Sequence, residues 1–199
     1  ILQLTYNTNM RRDVNNKLKE LNITNMEVHT YHSLACNYYD TDVNNDIVLE
    51  KVINTDMPPR KSLVIPDILI IDEAQDMTEL LLSMVIKYLR DIETKPTIAI
   101  FGDKWQAIYE YKGADSRFLT MGNVLWKEYG EFVSLPLHQS FRVTKNIAWF
   151  VNNCMIGTKR IVSKKTDKNY KVEYLRMNKY SINNHLYKYI EYLIKKKGY

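Results

Sequence analysis

The sequence predicts an α/β protein whose parallel sheet is flanked by helices, and three observations carry that reading. Ile68-Leu69-Ile70-Ile71 is an aliphatic run without alternation, the pattern of a strand buried on both faces. Thr97-Ile98-Ala99-Ile100-Phe101 is a second buried strand, opened by Pro96 and closed by Gly102-Asp103. Between them Leu80, Leu81, Met84, Val85, Tyr88 and Leu89 supply a broad apolar helical face ending near Asp91, so the three pieces make a βαβ unit.

The other elements come in order along the chain. Ile1 to Tyr6 reads as a strand, and Asn7-Thr8-Asn9 caps a helix with Met10, Val14, Leu18 and Leu21 on one face. Arg11, Arg12, Lys17 and Lys19 fall largely on the other. A turn at Asn22 to Asn25 leads into a strand over Met26 to His29, then a helix start at Thr30 to Leu34. Residues 40–63 are acid- and Asn-rich, contain Pro58-Pro59, and read as a surface excursion with a short helix. Asp76-Met77-Thr78-Glu79 has capping-box spacing, which makes Asp76 the expected cap of the next helix. Residues 115–128 read as helix, Glu131 to Leu135 as strand, Thr144 to Asn153 as helix and Tyr170 to Met177 as strand. A Tyr-rich amphipathic helix is expected from Ser181 to Lys197. The alternation restarts near residue 143, which suggests a first domain over 1–143 and the beginning of a second over 144–199.

With 199 residues, 45% of them hydrophobic, the chain can bury one full core and start another. Cys36 and Cys154 are the only cysteines, with neither a pairing framework nor metal-ligand spacing, so no zinc site is expected. That usage, and the lack of a leader or a long apolar run, predicts an intracellular protein, cytoplasmic or nuclear, not secreted and without a membrane partner. Residues 159–199 carry 12 Lys/Arg against 3 Asp/Glu (net +9), while residues 1–158 carry 16 against 20 (net −4). A basic tail behind a mildly acidic domain favours a polyanionic partner, although Lys195-Lys196-Lys197 also reads as a solvated helix end.

Ligands of parallel sheets sit at the carboxyl ends of the strands. There Asp72 could hold Mg²⁺ through its water shell, Glu73 could orient and deprotonate an attacking water, and Gln75 could sense a terminal phosphate. An acidic strand-to-helix turn of no catalytic meaning is the plainer alternative. Gln106 lies just beyond the second strand, as a phosphate-sensing amide or a turn-stabilising one. Tyr109 and Tyr111 offer faces for stacking bases, against burial in the core, and His32 reads either as a phosphate or backbone contact or as a helix-entry residue.

Five separated stretches, taken together, resemble the UvrD/PcrA/Rep branch of the superfamily 1 helicases, and look nearest to the F-box-containing DNA helicases. Leu4-Thr5-Tyr6-Asn7-Thr8-Asn9 is similar to motif Ia, Val28-His29-Thr30-Tyr31-His32-Ser33-Leu34 to the Thr-Phe-His-Ser element, and residues 68–76 to motif II. Residues 102–114, Gly-Asp-Lys-Trp-Gln-Ala-Ile-Tyr-Glu-Tyr-Lys-Gly-Ala, are similar to motif III, the most specific of the five, and Leu137-His138-Gln139-Ser140-Phe141-Arg142 to motif IV. The resemblance implies a RecA-like motor domain, with residues 40–65 a reduced insertion, in an ATP- and Mg²⁺-dependent helicase moving 3′ to 5′ on single-stranded DNA or at a single-strand/duplex junction.

By that resemblance Asp72, Glu73, Gln106 and Arg142 are the catalytic set, with Asp72 on the metal; Gln75, Asp103 and Phe141 are nucleotide contacts. Phe141 would stack the adenine, with core packing as its other reading. Tyr6, Asn7, Thr30, Tyr31, His32, Tyr109, Tyr111 and Lys112 carry over as contacts to the strand, where many relatives have Arg at the position of Lys112. No Gly-x-x-x-x-Gly-Lys-Ser/Thr phosphate loop occurs among the 199 residues, and motifs V and VI would lie beyond Tyr199. The expectation is therefore an internal segment of a longer chain, with little or no ATP turnover of its own. An ATPase-inactive nucleic-acid-binding or interaction module of the same fold is the alternative.

Overall fold

The computed structural model describes residues 1–166, 172–173 and 182–197. Four strands, β1 (Leu2–Thr5), β2 (Glu27–Thr30), β3 (Ile68–Ile71) and β4 (Thr97–Ile100), form an all-parallel sheet in the order β2-β1-β3-β4. Four helices flank it: α1 (Thr8–Glu20), α2 (Tyr31–Tyr38), α3 (Asp46–Asn54) and α4 (Glu79–Asp91). Leu2 pairs in register with Leu69 and Leu4 with Ile71, so these four side chains share one face. All are fully buried, in a core with Leu34, Leu49, Val52, Met84, Val85 and Tyr88 from α2, α3 and α4. Asn7 caps α1 by accepting the Met10 N–H, as its sequence predicts.

Three expectations for this part of the chain need correction. β3 is not buried on both faces: Leu69 and Ile71 are enclosed, whereas Ile68 and Ile70 are only half-buried, as is most of β4, the edge strand of the sheet. Residues 40–63 are more than a surface excursion, because Val43, Leu49 and Val52 reach the core while Ile47 faces solvent. α3 is also tied to α4 by Lys87, whose buried ammonium bonds Asp56 at 3.0 Å and Asp91 at 2.9 Å. The cap of α4 is Thr78, which accepts the Leu81 N–H, while Asp76 ends a short 3₁₀ turn over Ala74–Asp76.

Residues 115–128 fold as two short helices, α5 (Arg117–Thr120) and α6 (Gly122–Leu125), with a 3₁₀ turn at Lys127–Tyr129. Glu131 to Leu135 forms no strand: no ladder pairing holds it, and Val133 and Leu135 stand exposed.

The chain divides into compact units over Ile1–Val133 and Ser134–Tyr199, rather than near residue 143. The reason is β5 (Gln139–Ser140), which pairs in parallel with β6 (Val162–Ser163) and so ties the 137–142 stretch to the chain on its carboxyl side. In this second unit Thr144 caps α7 (Lys145–Phe150), which runs on as a π-helical turn over Val151–Ile156 and stops at Gly157 with φ 76°. Asn152 fastens that turn by accepting the Arg160 and Ile161 N–H groups and donating to the Ile161 carbonyl. α8 (Ile182–Tyr192) continues as a π-helical segment to Lys197, close to the expected span. The strand expected at Tyr170 to Met177 lies almost wholly outside the described residues. Among the described residues no helix is long and apolar enough to cross a membrane.

Candidate functional site

Parallel pairing brings the carboxyl ends of β1, β3 and β4 to one edge of the sheet. The ladder continues just past the strands: the Asp72 N–H donates to the Leu4 carbonyl (2.9 Å), the Phe101 N–H to Ile71 (2.8 Å) and the Ala74 N–H to Phe101 (3.0 Å). Asp72 and Glu73 therefore stand beside Phe101-Gly102-Asp103. Asp72 is half-buried, accepting the Gln3 side-chain amide at 3.2 Å on one oxygen and the Glu73 N–H at 3.1 Å on the other. Burial, then the neighbouring charge of Glu73, push its carboxyl above the ordinary range, and those two hydrogen bonds oppose the shift. Glu73 itself adopts φ 53° and ψ 44°, a left-handed conformation that strains a side chain of this kind.

Gln75 differs most from its expected role. Only 1% exposed, it donates to the Glu73 carboxylate at 2.6 Å and accepts the Asp103 N–H at 3.0 Å. Both ends of its amide are occupied inside the protein, so it joins the two strand ends instead of presenting itself to a phosphate. Gly102 makes room for it, since a Cβ there would lie 2.4 Å from Gln75 Oε1. The sequence marks Gly102 as the close of an apolar strand and the first residue of the 102–114 stretch, but not as the neighbour of Gln75. Asp103 turns the next segment, accepting the Trp105 N–H on one oxygen and the exposed Gln106 amide on the other at 3.1 Å. Gln106 is thus placed beyond β4, on the loop that Gln75 anchors.

Beyond that loop the aromatics gather. Tyr6, just after β1, stacks on Tyr109 with ring centres 5.4 Å apart, and Tyr109 meets Tyr111 at 6.3 Å. The Lys112 ammonium lies over both loop rings, 5.2 Å from Tyr109 and 5.6 Å from Tyr111. Tyr111 is 78% exposed and Tyr109 half-buried, so neither is a core residue. The far end of the loop is pinned by a bridge between Thr78 and Ala114 and by the Asp115 N–H donating to Met77. Asp76, beneath this junction, keeps its Oδ1 buried with no hydrogen-bond partner among the described residues.

The contacts expected after β2 separate. Thr30 and Ser33 form a reciprocal capping box at the start of α2, and Asn7 spends its carbonyl oxygen on α1. Tyr31 is 2% exposed and belongs to the core, so its expected place on the strand path is corrected by its packing. His32 is half-exposed and pairs with Asp46, the first residue of α3, at 2.9 Å. Phe141 and Arg142 belong to the second unit, where both are exposed just after β5; the Arg142 N–H donates to Ser140 Oγ.

Hard carboxylate oxygens at Asp72 and Glu73 suit Mg²⁺ held through water. Among the described residues no group of three or more His, Cys, Asp or Glu side chains could enclose a metal by itself. That donor set fits an ion shared with a phosphate-bearing ligand better than a protein-only cage.

No curated protein matches the chain. Residues 65–123, which take in β3, α4, β4 and the loop from Gly102 to Ala114, match the family model of the UvrD/REP helicase N-terminal domain, so this part of the chain is similar to that domain.

Proposed function

We propose that the chain is part of an ATP-dependent DNA helicase or translocase, nearest to the F-box-containing branch and moving 3′ to 5′ on single-stranded DNA. The observation that carries the reading is the shared edge of the sheet. Asp72, Glu73 and the Asp103–Gln106 loop meet there through Gln75, and the same loop leads to the Tyr6, Tyr109 and Tyr111 cluster.

In this reading Asp72 would hold Mg²⁺ through water, and the ion would supply positive charge to offset that of phosphate oxygens. Glu73 accepts the proton of an attacking water, and Gln106 reports the state of the phosphate to the loop bearing the tyrosines. Phe141 and Arg142 take the nucleotide contacts that the motif resemblance implies. Tyr109 and Tyr111 receive unpaired bases on their faces, and Lys112 holds the backbone phosphates without reading sequence.

Titration of a fluorescent single-stranded oligonucleotide into the 199-residue chain tests the nucleic-acid half. Saturable binding that prefers single strand to duplex supports it, and equal or absent binding of both overturns it. For the chemistry, Glu73→Gln in a longer chain that carries a phosphate loop should leave nucleotide binding intact and abolish turnover. Normal turnover there would remove Glu73 from the catalytic role.

A further inference from the structure

Asp46 brings a negative charge against His32, one of the candidate strand contacts. It is the first residue of α3, held there by Asn45, whose side chain accepts the Val48 N–H, and by Leu49 and Val52, which anchor the helix in the core. The carboxylate is therefore set in place by packing. One of its oxygens lies 2.9 Å from His32 Nε2, across 14 residues of sequence, and its side chain is 77% exposed. Its charge also reaches Tyr6, whose hydroxyl is raised above its ordinary range first by burial and, less strongly, by Asp76, Tyr109 and Asp46, against the lowering effect of Lys112.

An exposed carboxylate bonded to an imidazole occupies the position a phosphate oxygen would take on the same nitrogen. We infer that Asp46 is an internal competitor of the nucleic-acid backbone, covering His32 until a phosphate displaces it and thereby lowering the affinity of this surface for single strands. The inference rests on the proposed strand-binding reading. It assigns residues 40–65 a purpose, because the acid comes from the helix that this segment adds to the core. Binding a strand exchanges the Asp46 contact for a phosphate contact and leaves an uncompensated carboxylate nearby, which opposes the incoming charge.

The test measures anisotropy of a labelled single-stranded oligonucleotide with the unmodified chain, Asp46→Asn, His32→Ala and the double variant, at low and at raised salt. Asn is accepted at a helix start, and Asp46→Ser serves as a second replacement should Asp46→Asn fold poorly. Asp46→Asn is expected to bind about three- to tenfold more tightly at low salt, with the gain shrinking as salt rises and becoming smaller when His32→Ala is also present. Unchanged or weaker binding by both Asp46 variants overturns the inference, as does a gain that persists undiminished without His32. If no variant binds at all, the strand-binding reading falls and this inference with it; binding by the unmodified chain without a gain removes this inference alone.

Discussion

Gln75 Nε2 lies 2.6 Å from Glu73 Oε2, so the carboxylate at the end of β3 is held by a residue that is itself sealed inside the protein. The other end of the same amide accepts the Asp103 N–H, which makes Gln75 a strut between the two strand ends.

Gly102→Ala should therefore destabilise the fold. Its new Cβ would meet Gln75 Oε1 at 2.4 Å and the Ala74 backbone nitrogen at 3.2 Å. A loss of about 1–3 kcal/mol is expected in urea unfolding. The loss should be smaller in a Gln75→Ala background, where the first of those clashes is gone. Equal losses in both backgrounds would mean the two residues do not interact.

Thr78→Ala should cost about 1 kcal/mol, the value of a lost helix N-cap, because Thr78 and not Asp76 accepts the Leu81 N–H. Thermal unfolding that leaves Thr78→Ala unaffected would return the cap to Asp76.

Asp76 gives a pH signature. Burial, and then the charge of Glu73, raise its carboxyl above the ordinary range. A carboxyl raised on folding favours the native state only while protonated; that contribution is complete below the ordinary carboxylate range and is lost as pH rises through the raised value. Asp76→Asn, which stays neutral, should be more stable than the unmodified chain at neutral pH and no more stable near about pH 3. Unfolding midpoints across that range check this, and a gain independent of pH would count against it.

Two tyrosines should separate stability from binding. Tyr31→Ala empties a core position and should cost about 3–5 kcal/mol of stability. Tyr111→Ala alters an exposed ring: its stability should stay within about 0.5 kcal/mol, while single-strand affinity falls by about 1–3 kcal/mol. Unchanged affinity in Tyr111→Ala would take that ring off the strand path.

The parallel sheet was readable because β3 and β4 are largely aliphatic runs with an amphipathic helix between them, and α1 because Asn7 precedes a clean helical stripe. Where reading failed, two local signals competed. Asp76-Met77-Thr78-Glu79 satisfies capping-box spacing at Asp76, but a 3₁₀ turn ends there and moves the helix start to Thr78. Tyr31 looks like a surface aromatic next to polar neighbours, yet the first turn of α2 points it inward. The acids and tyrosines of the candidate site could be named from their types and order. The Gln75 strut and the Asp46 to His32 pair could not, since both join residues through tertiary packing that no local spacing records.

The buried Lys87 has a consequence for how the first unit comes apart. Its ammonium is shared by the turn after α3 and the last turn of α4, so peeling α3 away would break the Asp56 contact and leave Lys87 to Asp91 on its own helix. Together with Leu49 and Val52, which pack in the core, that contact couples α3 to α4, and the α3 amides should exchange with solvent more slowly than those of the exposed turns on either side of it.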